Sequence, residues 1–316
     1  MRAEVICDSV GPCGVRLLTM MLEYPRIVHP EFTRHRWFSF AVGSTRAIPS
    51  AKLRQRLLDD PAQIVWWGKN APGMVAKAEL DGRELLAAQA RWRQGLQEAL
   101  RTSEDMERIG LHKQIANRCL ETYSNVYQLT TATWEGWQWM FAQRVHPDAQ
   151  PEFRAIATLA KVKAAISKPQ VLRAGEWHLP YVTDDDRSWV AAAGTAFGCD
   201  PDLLLAQMSA ARCARTSYLN QDGKRDVEKD LETFKKLVTA EPKHMSPLEH
   251  QARAMAPTTW LDRAVLRACG ALMGRGGGEW GSYRRKRLQC HGERFLLGSG
   301  NLNGWHQFRK QYEENP

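Results

Sequence analysis

The sequence predicts a globular chain that uses strands and helices in separate stretches. Three observations predict it. Apolar residues make up 43% and charged residues 25% of the chain, as in ordinary folded proteins. The first 49 residues read as extended segments, and from Ser50 onward runs of Ala, Leu, Glu, Gln and Arg take over, which favour helix. With 316 residues, the core of one large domain or two small ones can be buried.

Val5, Ile6 and Cys7 suggest a short strand, and residues 17–28 mix apolar and β-branched side chains up to a break at Pro30. Ser50 is placed to cap a helix reaching about Leu58, and residues 74–102 hold the longest run of helix formers. Further helices are expected over 111–122, 133–144, 151–167 and 201–212. Asp184, Asp185 and Asp186 follow Thr183, a candidate N-cap, and Asp226 stands at a later helix start, where carboxylates complement the helix dipole. Three adjacent aspartates also suit a divalent cation. No second oxygen-ligand cluster has recognisable spacing, so capping is preferred and no metal is expected. Residues 223–239 form an amphipathic helix that ends at Glu241-Pro242.

The tail from Arg263 is less regular. Its glycine-rich loop at 274–281 lacks the Lys-Ser/Thr ending of a phosphate-binding P-loop and reads as a connector. The basic run from Arg284 to Arg287 reads as a solvated turn, with nucleic-acid contact as its alternative. The start of the chain lacks a signal-peptide pattern and no window of about 18 apolar residues occurs, so a soluble, cytoplasmic protein is expected. Seven cysteines without a C-x-x-C pair fit neither a disulfide framework nor a zinc site. A formal charge of +9 favours anionic partners, nucleotides and nucleic acids alike.

The most informative stretch is RHRWFSFAVGSTRAIP. Arg34, His35 and Arg36 are followed by Ser39, Ser44, Thr45 and Arg46, so guanidinium groups and hydroxyls can converge on one small volume if the segment turns. Arginine forks match phosphate oxygens in pairs, which makes this a candidate anion site.

The pattern Arg-His-Arg-x-x-Ser-x-x-x-x-Ser-x-Arg, with Pro25 nine residues before it, resembles the signature of flavin-dependent thymidylate synthases. HMSPLEH at 244–250, ARTSY at 214–218 and RVHPDAQPEFR at 144–154 are similar to further elements of that family. Their order differs from the common one, because the 214–218 and 244–250 elements follow Arg-His-Arg instead of preceding it. A circular permutation accounts for this, as in phage-type members. The chain then reads as one catalytic domain with an Arg-His-Arg half (1–180) and a His-x-Ser-Pro half (181–316), in host cytoplasm if the source is viral.

The resemblance implies an α+β fold, a twisted antiparallel-type sheet flanked by helices, and a homotetramer. It implies FAD, NADPH and methylenetetrahydrofolate as cofactors, and transfer of a one-carbon unit to C5 of dUMP to give dTMP. By matching positions, Arg34, His35, Arg36, Ser246 and Glu249 would bind FAD. Ser44, Thr45 and Arg46 would hold the nucleotide phosphate, with Arg118 as a further nucleotide contact. Arg144 would face the base and act with His244 in catalysis.

Two departures bear on substrate. Ala41 and Val42 stand where the family has Asn and Glu, and Glu31 where it has glutamine. A carboxylate accepts from the amino group of cytosine and repels a carbonyl oxygen, which suggests dCMP. Hydroxymethylation of dUMP or dCMP is therefore the alternative reading, and a noncatalytic nucleic-acid-binding protein the third.

Overall fold

The second strand explains the architecture. In the computed structural model, which describes residues 1–193, 200–216, 226–256 and 301–313, β2 (Arg16–Pro25) is buried on both faces along most of its length. A strand so apolar needs cover on both sides and partners on both edges. It pairs antiparallel with β1 (Arg2–Val10) on one edge and with β4 (Asn125–Thr133) on the other. β3 (Ser39–Val42) adds to β4, and β5 (Gln170–Val171) adds parallel to β1. The order is β3-β4-β2-β1-β5, with β3 at an edge. β6 (Trp177–His178), β7 (Ala252–Ala254) and β8 (Trp305–Gln307) form a second, antiparallel sheet. The fold is α+β, with an open, mostly antiparallel sheet flanked by helices.

One face of the large sheet packs on α5 (Trp134–Arg144) and α6 (Pro151–Ile166), with Met20, Leu22, Trp137 and Phe153 fully buried between them. The other face meets α8 (Pro201–Arg215) through Leu129, Ala41 and Cys213, and the small sheet through Leu17 and Trp305. The remaining helices are α1 (His29–Phe32), α2 (Ser50–Asp59), α3 (Gly82–Arg108), α4 (Lys113–Ala116), α7 (Asp184–Ala193), α9 (Val227–Thr239) and α10 (Lys310–Glu313). Among the described residues no helix is long and apolar enough to cross a membrane.

Several elements depart from expectation for local reasons. The first 49 residues are not wholly extended, since a 3-10 turn (Arg26–Val28) and α1 follow β2. Ser50 is the first helical residue of α2 and caps nothing; Pro49 takes the cap position without a side-chain bond. The long helix starts at Gly82 because the chain before it pairs back on itself: Lys69 N–H donates to the Ala78 carbonyl and Leu80 N–H to the Trp67 carbonyl, both at 2.8 Å. The expected helix over 111–122 splits into α4 and a 3-10 turn at Asn117, whose side-chain amide donates to the carbonyls of Thr45 (2.8 Å) and Ile48 (3.0 Å). Strand β4 was not foreseen at all. Thr183 does cap α7: its hydroxyl accepts from Asp186 N–H at 3.3 Å, while Asp186 accepts from Thr183 and pairs with Arg212. The 274–281 loop, the 284–287 basic run, Tyr218 and Cys199, Cys269 and Cys290 lie outside the described residues.

Candidate functional site

After β2, alternation between anchored and solvated side chains sets the site. Phe32 is fully buried and stacks on Phe153 at 5.1 Å, and Phe38 meets Trp137 edge-on at 4.9 Å. With these rings held in the core, Arg34 and Arg36 point to solvent and His35 is half-buried between them. Beyond β3, Ser44 is half-buried, Thr45 is buried and Arg46 is exposed on a 3-10 turn. Arg34, Arg36 and Arg46 form no ion pair among the described residues.

Arg144, at the end of α5, is drawn into this segment from more than 100 residues away. Its Nε–H donates to His35 Nε2 at 2.9 Å, its Nη1 pairs with Glu31 at 3.0 Å, and its guanidinium lies 4.7 Å from the Phe153 ring centre. His35 accepts through Nε2, so its proton sits on Nδ1. Burial, reinforced by the Arg144 charge, holds the pKa of His35 down at about 4. The ring is therefore neutral at pH 7. Glu31 and Arg144, both expected to face a base, thus face each other.

The late element lies beside β3 in the same chain. Ser246–Glu249 is a 3-10 turn with Pro247 and Leu248 buried. Gln307 Nε2 joins the two regions, donating to the Glu249 carbonyl at 2.9 Å and to Ser39 Oγ at 3.3 Å. Asn301 supports the junction by donating to the Trp37 carbonyl at 3.0 Å. The Glu249 carboxylate pairs with Arg309. Ser246 and His244 are exposed. The last residue of the motif, His250, is buried instead: its Nδ1 meets Thr131 Oγ1 at 2.8 Å, and the chain continues through Thr19 (2.7 Å) to His178 (2.8 Å) and Ser9 (2.9 Å).

Thr45 and Arg118 are brought together by a residue that sequence reasoning missed. Both donate to Glu121 Oε1, Thr45 at 2.6 Å and Arg118 at 2.8 Å. Gln307, Asn301, Arg309 and Thr131 were missed as well, and no local motif marks them. Ala41 packs against Leu129 and Cys213, so its side chain serves the core. Among the described residues no cluster of His, Cys, Asp or Glu could hold a metal ion.

Residues 15–166 match the family model described as thymidylate synthase complementing protein. The segment contains the 34–46 and 144–154 elements, while 214–218 and 244–250 fall outside it. No curated protein matches the chain.

Proposed function

We propose, from the match of residues 15–166 to the family model described as thymidylate synthase complementing protein, that the chain is a permuted, flavin-dependent thymidylate synthase acting on a pyrimidine deoxynucleotide. The reaction moves a one-carbon unit from methylenetetrahydrofolate to C5 of dUMP, with NADPH as reductant, giving dTMP. The observation that carries this reading is the junction at β3, where the 246–249 turn meets the strand that follows Arg34-His35-Arg36. The two halves, 1–180 and 181–316, then form one catalytic domain, and the active assembly is a homotetramer.

The donor set suits a dinucleotide. Arg34 and Arg36 are exposed and form no ion pair among the described residues, so their guanidinium groups are available to phosphoryl oxygens. They would hold FAD with His35, Ser246 and Glu249. When bound, FAD supplies the hydride that completes the transferred group. Ser44, Thr45 and Arg46 would fix the nucleotide phosphate, with Arg118 beside them. Neutral His35 keeps Arg144 in place as an acceptor, and Arg144 with Glu31 would meet the base. His244, exposed, is placed to position substrate or move a proton. The protein's work is then orientation and charge stabilisation.

Hydroxymethylation of dUMP or dCMP is the second reading, favoured by a carboxylate at Glu31 where glutamine is usual. Incubation with methylenetetrahydrofolate, NADPH and either nucleotide, followed by product mass, separates the two. A purified protein that shows no flavin absorbance after FAD is added, and binds DNA with steep salt dependence, refutes both in favour of a nucleic-acid-binding protein.

A further inference from the structure

Three segments meet beside β3, and only two of them carry residues proposed to hold FAD. The third is residues 301–309, which include β8. Backbone bonds fix its course: Gln307 lies opposite Ala252 on β7, Phe308 N–H donates to the Gln251 carbonyl at 2.9 Å, and Arg309 N–H donates to the Leu248 carbonyl at 3.0 Å. From that track the buried Gln307 side chain donates to the Glu249 carbonyl at 2.9 Å and to Ser39 Oγ, itself buried, at 3.3 Å. A carbonyl only accepts, so the Gln307 nitrogen must face Glu249 and its amide has one orientation. Asn301 is oriented in the same way by the Trp37 carbonyl, at 3.0 Å, and its Oδ1 accepts from the Ser39 hydroxyl at 3.4 Å. A directed series of neutral groups thus runs from Trp37, next to Arg36, through Asn301, Ser39 and Gln307 to Glu249. Arg309 pairs with the carboxylate of that same glutamate.

We propose that Gln307 is a positioning residue, which holds the 246–249 turn at a fixed separation from the 34–36 segment so that both can engage one FAD. The inference rests on the flavin reading and extends it to a residue behind the proposed donors. A ligand that spans two elements binds tightly where their separation is set beforehand; otherwise the ordering of the two elements weakens binding. An amide suits the task, because it donates across the gap without adding a charge beside arginines that are to meet phosphoryl oxygens. The bond to Glu249 is the shorter of the two, so the turn is held more firmly than β3. A merely structural amide would stabilise the fold without coupling to the ligand-binding groups, and that difference is measurable.

The test is titration of the full chain with FAD, read by flavin fluorescence, at a temperature where circular dichroism shows each variant folded. Gln307→Met keeps the length of the side chain and removes both donors, so FAD affinity should fall about tenfold. The dUMP affinity of the flavin-free protein, assigned to Ser44 and Arg46, should stay within about twofold. Ser39→Ala, which leaves the bond to Glu249, should weaken FAD about threefold. A double-mutant cycle gives the decisive readout: in a Ser246→Ala background Gln307→Met should weaken FAD less than it does alone, because a group it aligns is already gone. Unchanged FAD affinity in Gln307→Met, or an equal loss in both backgrounds, overturns the proposal and leaves the flavin reading standing. If Gln307→Met does not fold, Ser39→Ala and Asn301→Ala enter the same cycle, where additive losses again overturn it. An unsubstituted protein that binds no FAD overturns the flavin reading and the proposal with it.

Discussion

Two polar regions meet strands β3 and β4 and are built in opposite ways. Along the edge, Arg34, Arg36 and Arg46 are exposed, with no ion pair among the described residues. In the seam between the two sheets, Ser9, His178, Thr19, Thr131 and His250 are buried and bonded in series. One motif contributes to both. Ser246 is exposed, while His250, four residues on, ties the turn to β4 through Thr131. The difference teaches that residues of a recognisable signature divide between binding and holding the binding groups still, and that spacing alone does not say which does which.

The largest expected effects lie in the seam. Thr131→Val keeps the shape and removes the bonds to Thr19 and His250, leaving His250 with no partner on either nitrogen, since Nε2 is already unpartnered. A loss of about 3 kcal/mol in urea unfolding is expected for the buried groups left unsatisfied. A loss under about 1 kcal/mol would mean that the seam does not hold the sheets together.

Acid attacks the same region. Burial lowers the pKa of both His178 and His250 to about 3, so the native state keeps them neutral while unfolded imidazoles bind protons near pH 6.5. Stability is therefore complete above about pH 6.5 and falls below it, because the unfolded state then holds more protons. At pH 5.5 the loss should be about 1.4 kcal/mol per histidine relative to pH 7.5. Equal urea midpoints at the two pH values would show that the seam tolerates charge.

These polar interiors also explain what the sequence conceals. Strand β4, NVYQLTTAT, reads as a polar stretch, yet Gln128, Thr130, Thr131 and Thr133 are buried. Their hydroxyls and amide are satisfied by partners far along the chain, such as Tyr24, Thr19 and His250, which periodicity cannot reveal. Helices α6 and α8 were legible as local runs of helix formers such as Ala and Leu. At the site, the Arg34–Arg46 segment was legible as a contiguous run of forks and hydroxyls, and its outward arginines follow from the aromatic anchors Phe32 and Phe38. The pairing of Arg144 with His35 and Glu31 was not, because it joins positions 109 and 113 residues apart.

On the arginine edge the expected effect moves from stability to binding. Arg46→Ala should leave urea unfolding within about 0.5 kcal/mol of the unsubstituted protein, since the side chain is exposed and forms no ion pair among the described residues. Nucleotide affinity should fall about 10- to 100-fold, the worth of one charge-assisted contact to phosphate. Unchanged affinity would remove Arg46 from the phosphate site.

The smallest effect concerns base preference and lies where edge and interior meet. Glu31 is about one-third exposed and its pair with Arg144 is partly solvated, so Glu31→Gln should change stability by less than about 1 kcal/mol. Arg144 keeps its bond to His35 and its place over Phe153, which separates the substitution from a loss of position. What changes is the group offered beside Arg144: a carboxylate only accepts, while an amide also donates and can meet the uracil carbonyl. The ratio of dUMP to dCMP affinity should therefore rise several-fold in Glu31→Gln. A ratio that does not move, with FAD binding intact, would mean that Glu31 serves only to anchor Arg144 and that base choice is made elsewhere.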